Sequence, residues 1–170
     1  NSFKGRLMAA SLDGSLPRQL PFSVAGWASY SPDAKRLAFN PLFRAFRTWK
    51  YYQGGQADDV WIYDFEAETS VNITSNVAQD IQPMWHEDKI YFLSDRDRTM
   101  NLFVYDTQTE ETRKVTDYTD FDIKYPSLGP DAIVFEQGGS LHLLNLPSEE
   151  VVDIEITLQS TYDGRRTAYK

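Results

Sequence analysis

The sequence predicts an all-β chain, a partial β-propeller of four-stranded blades with about three full blades and half a blade before them. Three observations carry this: a repeat of about 40 residues, strands apolar on both faces, and turn chemistry between strands with almost no helical periodicity. The parts recur in a constant order. "YSPDAKRLAF", "DVWIYDF" and "SVNIT" are followed by "WHEDKIYFLSD", "NLFVYDT" and "TRKVT", then by "LGPDAIVFEQGG", "SLHLLNL" and "VVDIEIT". A polar residue ends each third strand, at Asp64, Asp106 and Asn145, which gives spacings of 42 and 39 residues (106 − 64 and 145 − 106). Thr74 and Thr116, closing the fourth strands, repeat the 42.

Taken in order, residues 1–24 read as the third and fourth strands of a preceding blade. Residues 25–78 form a blade with an aromatic and basic insertion at 42–56. Residues 79–120 and 121–158 form two more blades, and 159–170 a linker or the start of a following propeller. Within "KIYFLSD", Ile90, Phe92 and Ser94 face one way while Tyr91 and Leu93 face the other, as expected for a sheet sandwiched between neighbours. Pro32-Asp33, Pro130-Asp131, Gly138-Gly139 and Asp13-Gly14 supply the turns. Tyr118 and Phe121, between blades, are expected in the core. A closed propeller has roughly four to eight blades. The chain is therefore expected to belong to a larger protein, and its uncovered blade flanks to associate.

Composition narrows the functional classes. With 17 basic and 25 acidic residues the formal net charge is −8, which disfavours nucleic-acid phosphates as partners. There is no cysteine, so disulfides and thiolate metal sites are excluded. No apolar run reaches the roughly 18 residues of a membrane-spanning helix, so no membrane span is expected. The compartment, cytoplasmic or periplasmic, stays open.

The "YSPDAKRLAF" unit resembles the repeat of TolB-like proteins and prolyl oligopeptidase relatives. The longer runs "FNPLFRAFRTWKYYQGGQADDVWIYDF", "DIQPMWHEDKIYFLSDRDRTMNLFVYD" and "TDFDIKYPSLGPDAIVFEQGGSLHLLNL" resemble the first propeller of the tricorn protease family. The Trp49, Lys50, Tyr52, Gly54, Gly55 run and the Phe92 to Arg96 run are the most specific parts. The resemblance implies a non-catalytic portion of a six-bladed propeller in a large serine peptidase that degrades short peptides. Its expected partners are a second propeller, PDZ-like and catalytic domains of the parent chain, peptides, and further copies in a homo-oligomer. The family's catalytic residues would lie outside this sequence. The alternative is a TolB-like protein-binding module without peptidase activity.

Candidate site residues are few. Arg44, Arg47, Trp49, Lys50 and Tyr52 in the insertion are the peptide-channel candidates, weighed against simple packing of the aromatics Phe43, Phe46, Trp49, Tyr51 and Tyr52 between blades. His86 and His142 have no GxSxG elbow to serve, so no catalytic residue is expected and both histidines read as packing or surface groups. Asp95 and Asp97 in "SDRDR" lack the glycine and distal glutamate of a calcium loop and read as turn residues. No metal or cofactor is expected.

Overall fold

The computed structural model describes residues 5–42, 51–52, 54–55 and 57–157. Among them are fourteen strands and no helix. Strands β1 (Met8–Ala9) and β2 (Arg18–Gln19) form a two-stranded antiparallel ladder. Three four-stranded antiparallel sheets follow, each a meander in chain order. The first comprises β3 (Ala28–Tyr30), β4 (Arg36–Phe39), β5 (Trp61–Asp64) and β6 (Thr69–Asn72). The second comprises β7 (Asp80–His86), β8 (Lys89–Ser94), β9 (Asn101–Asp106) and β10 (Thr112–Lys114). The third comprises β11 (Lys124–Leu128), β12 (Ala132–Gln137), β13 (Ser140–Asn145) and β14 (Val151–Ile154). The architecture is a partial β-propeller.

The repeat has a local cause. Asp64 Oδ1 accepts the N–H groups of Glu66 and Ala67, and Asp106 Oδ1 those of Gln108 and Thr109, at 2.8–3.0 Å. Asn145 Oδ1 takes the Ser148 N–H in the third sheet. Four residues beyond each anchor, Glu68, Glu110 and Glu149 have φ of 53°, 60° and 55°, completing the same turn three times. A short side-chain acceptor at the first position is what this geometry demands. The threonines act likewise. Thr74 Oγ1 accepts the Val60 N–H and Thr116 Oγ1 the Leu102 N–H, each closing the fourth strand onto the start of the third.

Packing is face to face. On β8, Ile90 and Phe92 join Trp85, Phe103 and Tyr105 against Ala38, Val60, Ile62 and Ile73 of the first sheet. Tyr91 and Leu93, pointing the other way, join Met84, Leu102 and Val104 against Ile133, Phe135 and Leu144 of the third. The alternation expected in "KIYFLSD" is thus realised as two separate cores. A third core sets Leu37, Phe39 and Tyr63 against Leu20 and Phe22. Each fully buried aromatic or aliphatic side chain contributes about 1.5–3 kcal/mol. Polar ties accompany the cores: the Arg36 guanidinium lies 5.0 Å over the Trp85 ring, and the Trp85 N–H donates to Ser29 Oγ at 2.9 Å.

One expectation is corrected. Tyr118 packs partly buried against the core around Phe135, but Phe121 is 59% exposed. Its ring instead covers the β12–β13 turn, where a Cβ on Gly138 would meet Phe121 Cδ2 at 3.4 Å. Gly138 itself needs its φ of +61°. The aromatic shields a backbone turn and leaves the core to Ile123.

The flank of the third sheet away from its core carries Val134, Leu143 and Val152 in one cross-strand row, with Leu141 opposite Ile154. Val152 is 53% exposed and Leu141 38%. The isolated 170-residue chain should self-associate with rising concentration in light scattering, and Val152→Lys should reduce it. A second expectation concerns acid. Backbone N–H groups hold the Asp64 and Asp106 carboxyls below the ordinary aspartate range. A carboxyl depressed on folding stabilises the fold at neutral pH, and that stabilisation is lost as pH falls through and below the ordinary aspartate value. Asp106→Asn keeps the acceptor without the charge, as Asn145 does, so its stability should fall less steeply with acid in denaturant titrations at graded pH.

Candidate functional site

The first strand of each blade lies at the free edge of its sheet, and β7 lies beside both β3 and β11. Two of these first strands, β7 and β11, are irregular in the same way. On β7, Ile81 pairs with Leu93 and Met84 with Tyr91, so Gln82 and Pro83 together oppose one residue of β8. On β11, Lys124 pairs with Glu136 and Ser127 with Val134, so Tyr125 and Pro126 oppose one residue of β12. Each is a β-bulge, and each places its proline, which has no N–H to donate, where no ladder bond is required. Gln82 has φ of 56° and Tyr125 of 50°. The two bulges are 43 residues apart (125 − 82).

A buried side chain holds the Gln82 bulge. Asn40, fully buried at the end of β4, accepts the Gln82 N–H on Oδ1 at 3.0 Å. Its Nδ2 donates to the carbonyls of Asp80 at 2.8 Å and Asp59 at 2.9 Å. The amide thus imitates a strand neighbour for the start of β7. Beside the bulge, Trp27, Ala28, Ser29, Gln82, Pro83, Met84, Pro126, Ser127 and Leu128 of the three inner edges line a cleft of about 250 Å³.

A second cleft of about 440 Å³ lies among Tyr51, Val77, Ala78, Asp95, Arg96 and Arg98. Here Asp80, with its side chain fully buried, receives Arg96 at 3.1 Å and Asn76 Nδ2 at 2.6 Å. The Arg96 guanidinium sits 4.4 Å from the Phe103 ring centroid, and its Nε donates to Ser94 Oγ. Asp95 accepts the Gln79 N–H at 2.9 Å and the Tyr51 N–H at 3.4 Å, which ties the end of the insertion to the second blade. Burial lifts the Asp59 carboxyl above the ordinary range, against the opposing hydrogen bond from Asn72.

Of the expected channel residues, Arg44, Arg47, Trp49 and Lys50 lie outside the described residues. Tyr52 is half-buried against Gly54, where a Cβ would come within 2.5 Å of its hydroxyl. His86 Nε2 contacts the Pro130 carbonyl at 2.8 Å. His142 is buried, stacked on Phe135, with Nδ1 on Asp153 at 2.8 Å and Nε2 on the Gln137 carbonyl. Among the described residues, neither ring has a hydroxyl nucleophile as hydrogen-bond partner. Asp97 pairs with Lys114 at 2.9 Å. Among the described residues no group of three or more histidine or carboxylate side chains could hold a metal ion. The bulges and Asn40 were not singled out from the sequence. A proline inside each expected first strand, at 83 and 126, was the available signal.

The three meander sheets packed face to face define a β-propeller of four-stranded units. The chain belongs to the tricorn protease N-terminal beta propeller domain family, whose model matches residues 1–150. A tricorn protease homolog of Saccharolobus solfataricus is 28% identical over 110 residues, 65% of this chain and 10% of that protein. The crystal structure of the tricorn protease superposes with a TM-score of 0.65 at 18% identity, covering 91% of this chain and 21% of that one. A putative TolB from Agrobacterium tumefaciens gives 0.64 at 18% identity, covering 82% and 52%. The chain spans about a tenth of the curated relatives it matches.

Asn40→Ala should remove the side chain that joins Gln82, Asp80 and Asp59, leaving buried backbone groups unpaired. The expected loss is about 2–4 kcal/mol in urea denaturation. A loss under half a kilocalorie would show that the bulge holds itself.

Proposed function

We infer that this chain is a non-catalytic propeller segment of a tricorn-like serine peptidase, acting as scaffold and peptide-channel module in the degradation of short peptides. The observation that carries the reading is the family match over residues 1–150. Free inner strand edges beside a cleft give a peptide somewhere to pass. In this reading, residues 25–78, 79–120 and 121–158 are successive blades, residues 1–24 contribute two strands to the one before, and residues 159–170 lead onward. The parent's second propeller, PDZ-like and catalytic domains are the partners, in a homo-oligomer. In this reading the insertion at 42–56 supplies the peptide-channel candidates Arg44, Arg47, Trp49, Lys50 and Tyr52.

The second reading, a TolB-like protein-binding module, is favoured only by the likeness of fold to TolB. Peptide turnover separates the two. The full-length parent should hydrolyse short peptides with sensitivity to serine-directed inhibitors, while the isolated chain should be inert. A folded parent with no peptide turnover would remove the first reading and leave the second.

A further inference from the structure

Both ring nitrogens of His142 face oxygens that accept hydrogen bonds. Nδ1 lies 2.8 Å from the Asp153 carboxylate, and Nε2 lies 3.2 Å from the Gln137 carbonyl. A neutral imidazole has one N–H, so it serves one acceptor and turns a lone pair towards the other. The imidazolium serves both. We propose that His142 is a pH-sensitive clamp: as the imidazolium it ties β14 to the end of β12, and on losing its second proton it releases the edge strand. His142 and Asp153 are cross-strand partners, and β14 stands last in its sheet, with β13 as its ladder neighbour. The clamp therefore acts where the ladder holds a strand from one side. His86 is the contrast, since its contact with the Pro130 carbonyl needs one N–H.

The surroundings favour the charged ring. Besides Asp153 on β14, a second carboxylate lies one amide away, because Gln137 Nε2 donates to Asp120 Oδ1 at 3.3 Å. The ring stacks on Phe135 with centroids 5.4 Å apart and lies 6.0 Å from Tyr118. Burial, and after it Asp153 and Asp120, raise the Tyr118 phenol, so that neighbour stays uncharged. The second sheet meets this core through Met84, Tyr91, Leu93, Leu102 and Val104, and burial raises the Tyr91 phenol too. On β10, Lys114 pairs with Asp97 and Asp117, and Arg113 with Glu149. Within the third sheet, Lys124, Glu136 and Leu141 form a cross-strand row on the flank opposite His142. Burial alone disfavours a cation, but acceptors on both N–H groups and adjacent carboxylates hold it. A base that gains such partners on folding stabilises the fold in mild acid, and that contribution is lost as pH rises.

The test uses the 170-residue chain with nitrogen-15 in its two histidine rings, observed by NMR. At neutral pH, His142 should show a proton on each ring nitrogen. As pH rises one of these protons should leave. At the same pH, protection of the β14 amides against hydrogen exchange, corrected for intrinsic rates, should fall about tenfold. His142→Gln, which does not titrate, should abolish that step. Should it impair folding, Asp153→Asn decides in its place. The Asp153 side chain is 85% exposed, and its neutral replacement should move the step to lower pH. A His142 ring with a single proton at neutral pH overturns the inference. So does β14 protection that follows the same course with pH in the wild type and in the variant used.

Discussion

Every blade here has two apolar faces, and that constraint organises the rest of the structure. A sheet with one oily face can shelter it under a helix or a second layer. A sheet such as the second one, with Ile90, Phe92 and Phe103 on one side and Tyr91, Leu93 and Leu102 on the other, needs a neighbour on each side. Stacking then continues blade by blade, because every sheet added to cover one face brings another that is uncovered. The meander order follows from the same need, since short turns keep four strands in one sheet before the chain crosses to the next.

What was legible in the sequence divides along the range of the interaction. Asp64, Asp106 and Asn145 could be aligned because each satisfies its own turn within three residues, so spacing alone betrays it. The alternation in β8 was legible for the same reason, as a property of adjacent residues. Asn40 was not. Its partner Gln82 is 42 residues away, and an asparagine at the end of an apolar run reads as a strand terminus until the next blade is in place. Phe121 misled because aromatic character suggests burial, whereas here a glycine turn provides a surface for the ring to cover. Arg96 lies in the "SDRDR" turn, where local pairing is the ordinary outcome. It pairs locally with Ser94, but its ion-pair partner Asp80 is on the far side of the hairpin.

The candidate site was less legible than the fold. The sequence drew attention to the insertion, where aromatic and basic residues are concentrated, and only Tyr52 of those candidates lies among the described residues. The inner edges, by contrast, look ordinary in sequence: "DIQPMW" and "KYPSL" have neither charge clusters nor motif residues. Their distinction is geometric. A bulge is recognised by comparing registers on two strands, and no single strand carries that comparison.

The same geometry explains how free strand edges can persist in such a protein. An exposed edge is an invitation to strand addition and aggregation, and proteins blunt it with proline, bulges and side-chain caps. Here all three occur together. Pro83 and Pro126 delete donors, the bulges twist the edge out of register, and Ser29 caps the Trp85 N–H. An edge protected in this way can stay exposed without capturing a further strand. Protection of the edge accounts for the irregularity at β7 and β11, while β8 and β9, and β12 and β13, pair without interruption.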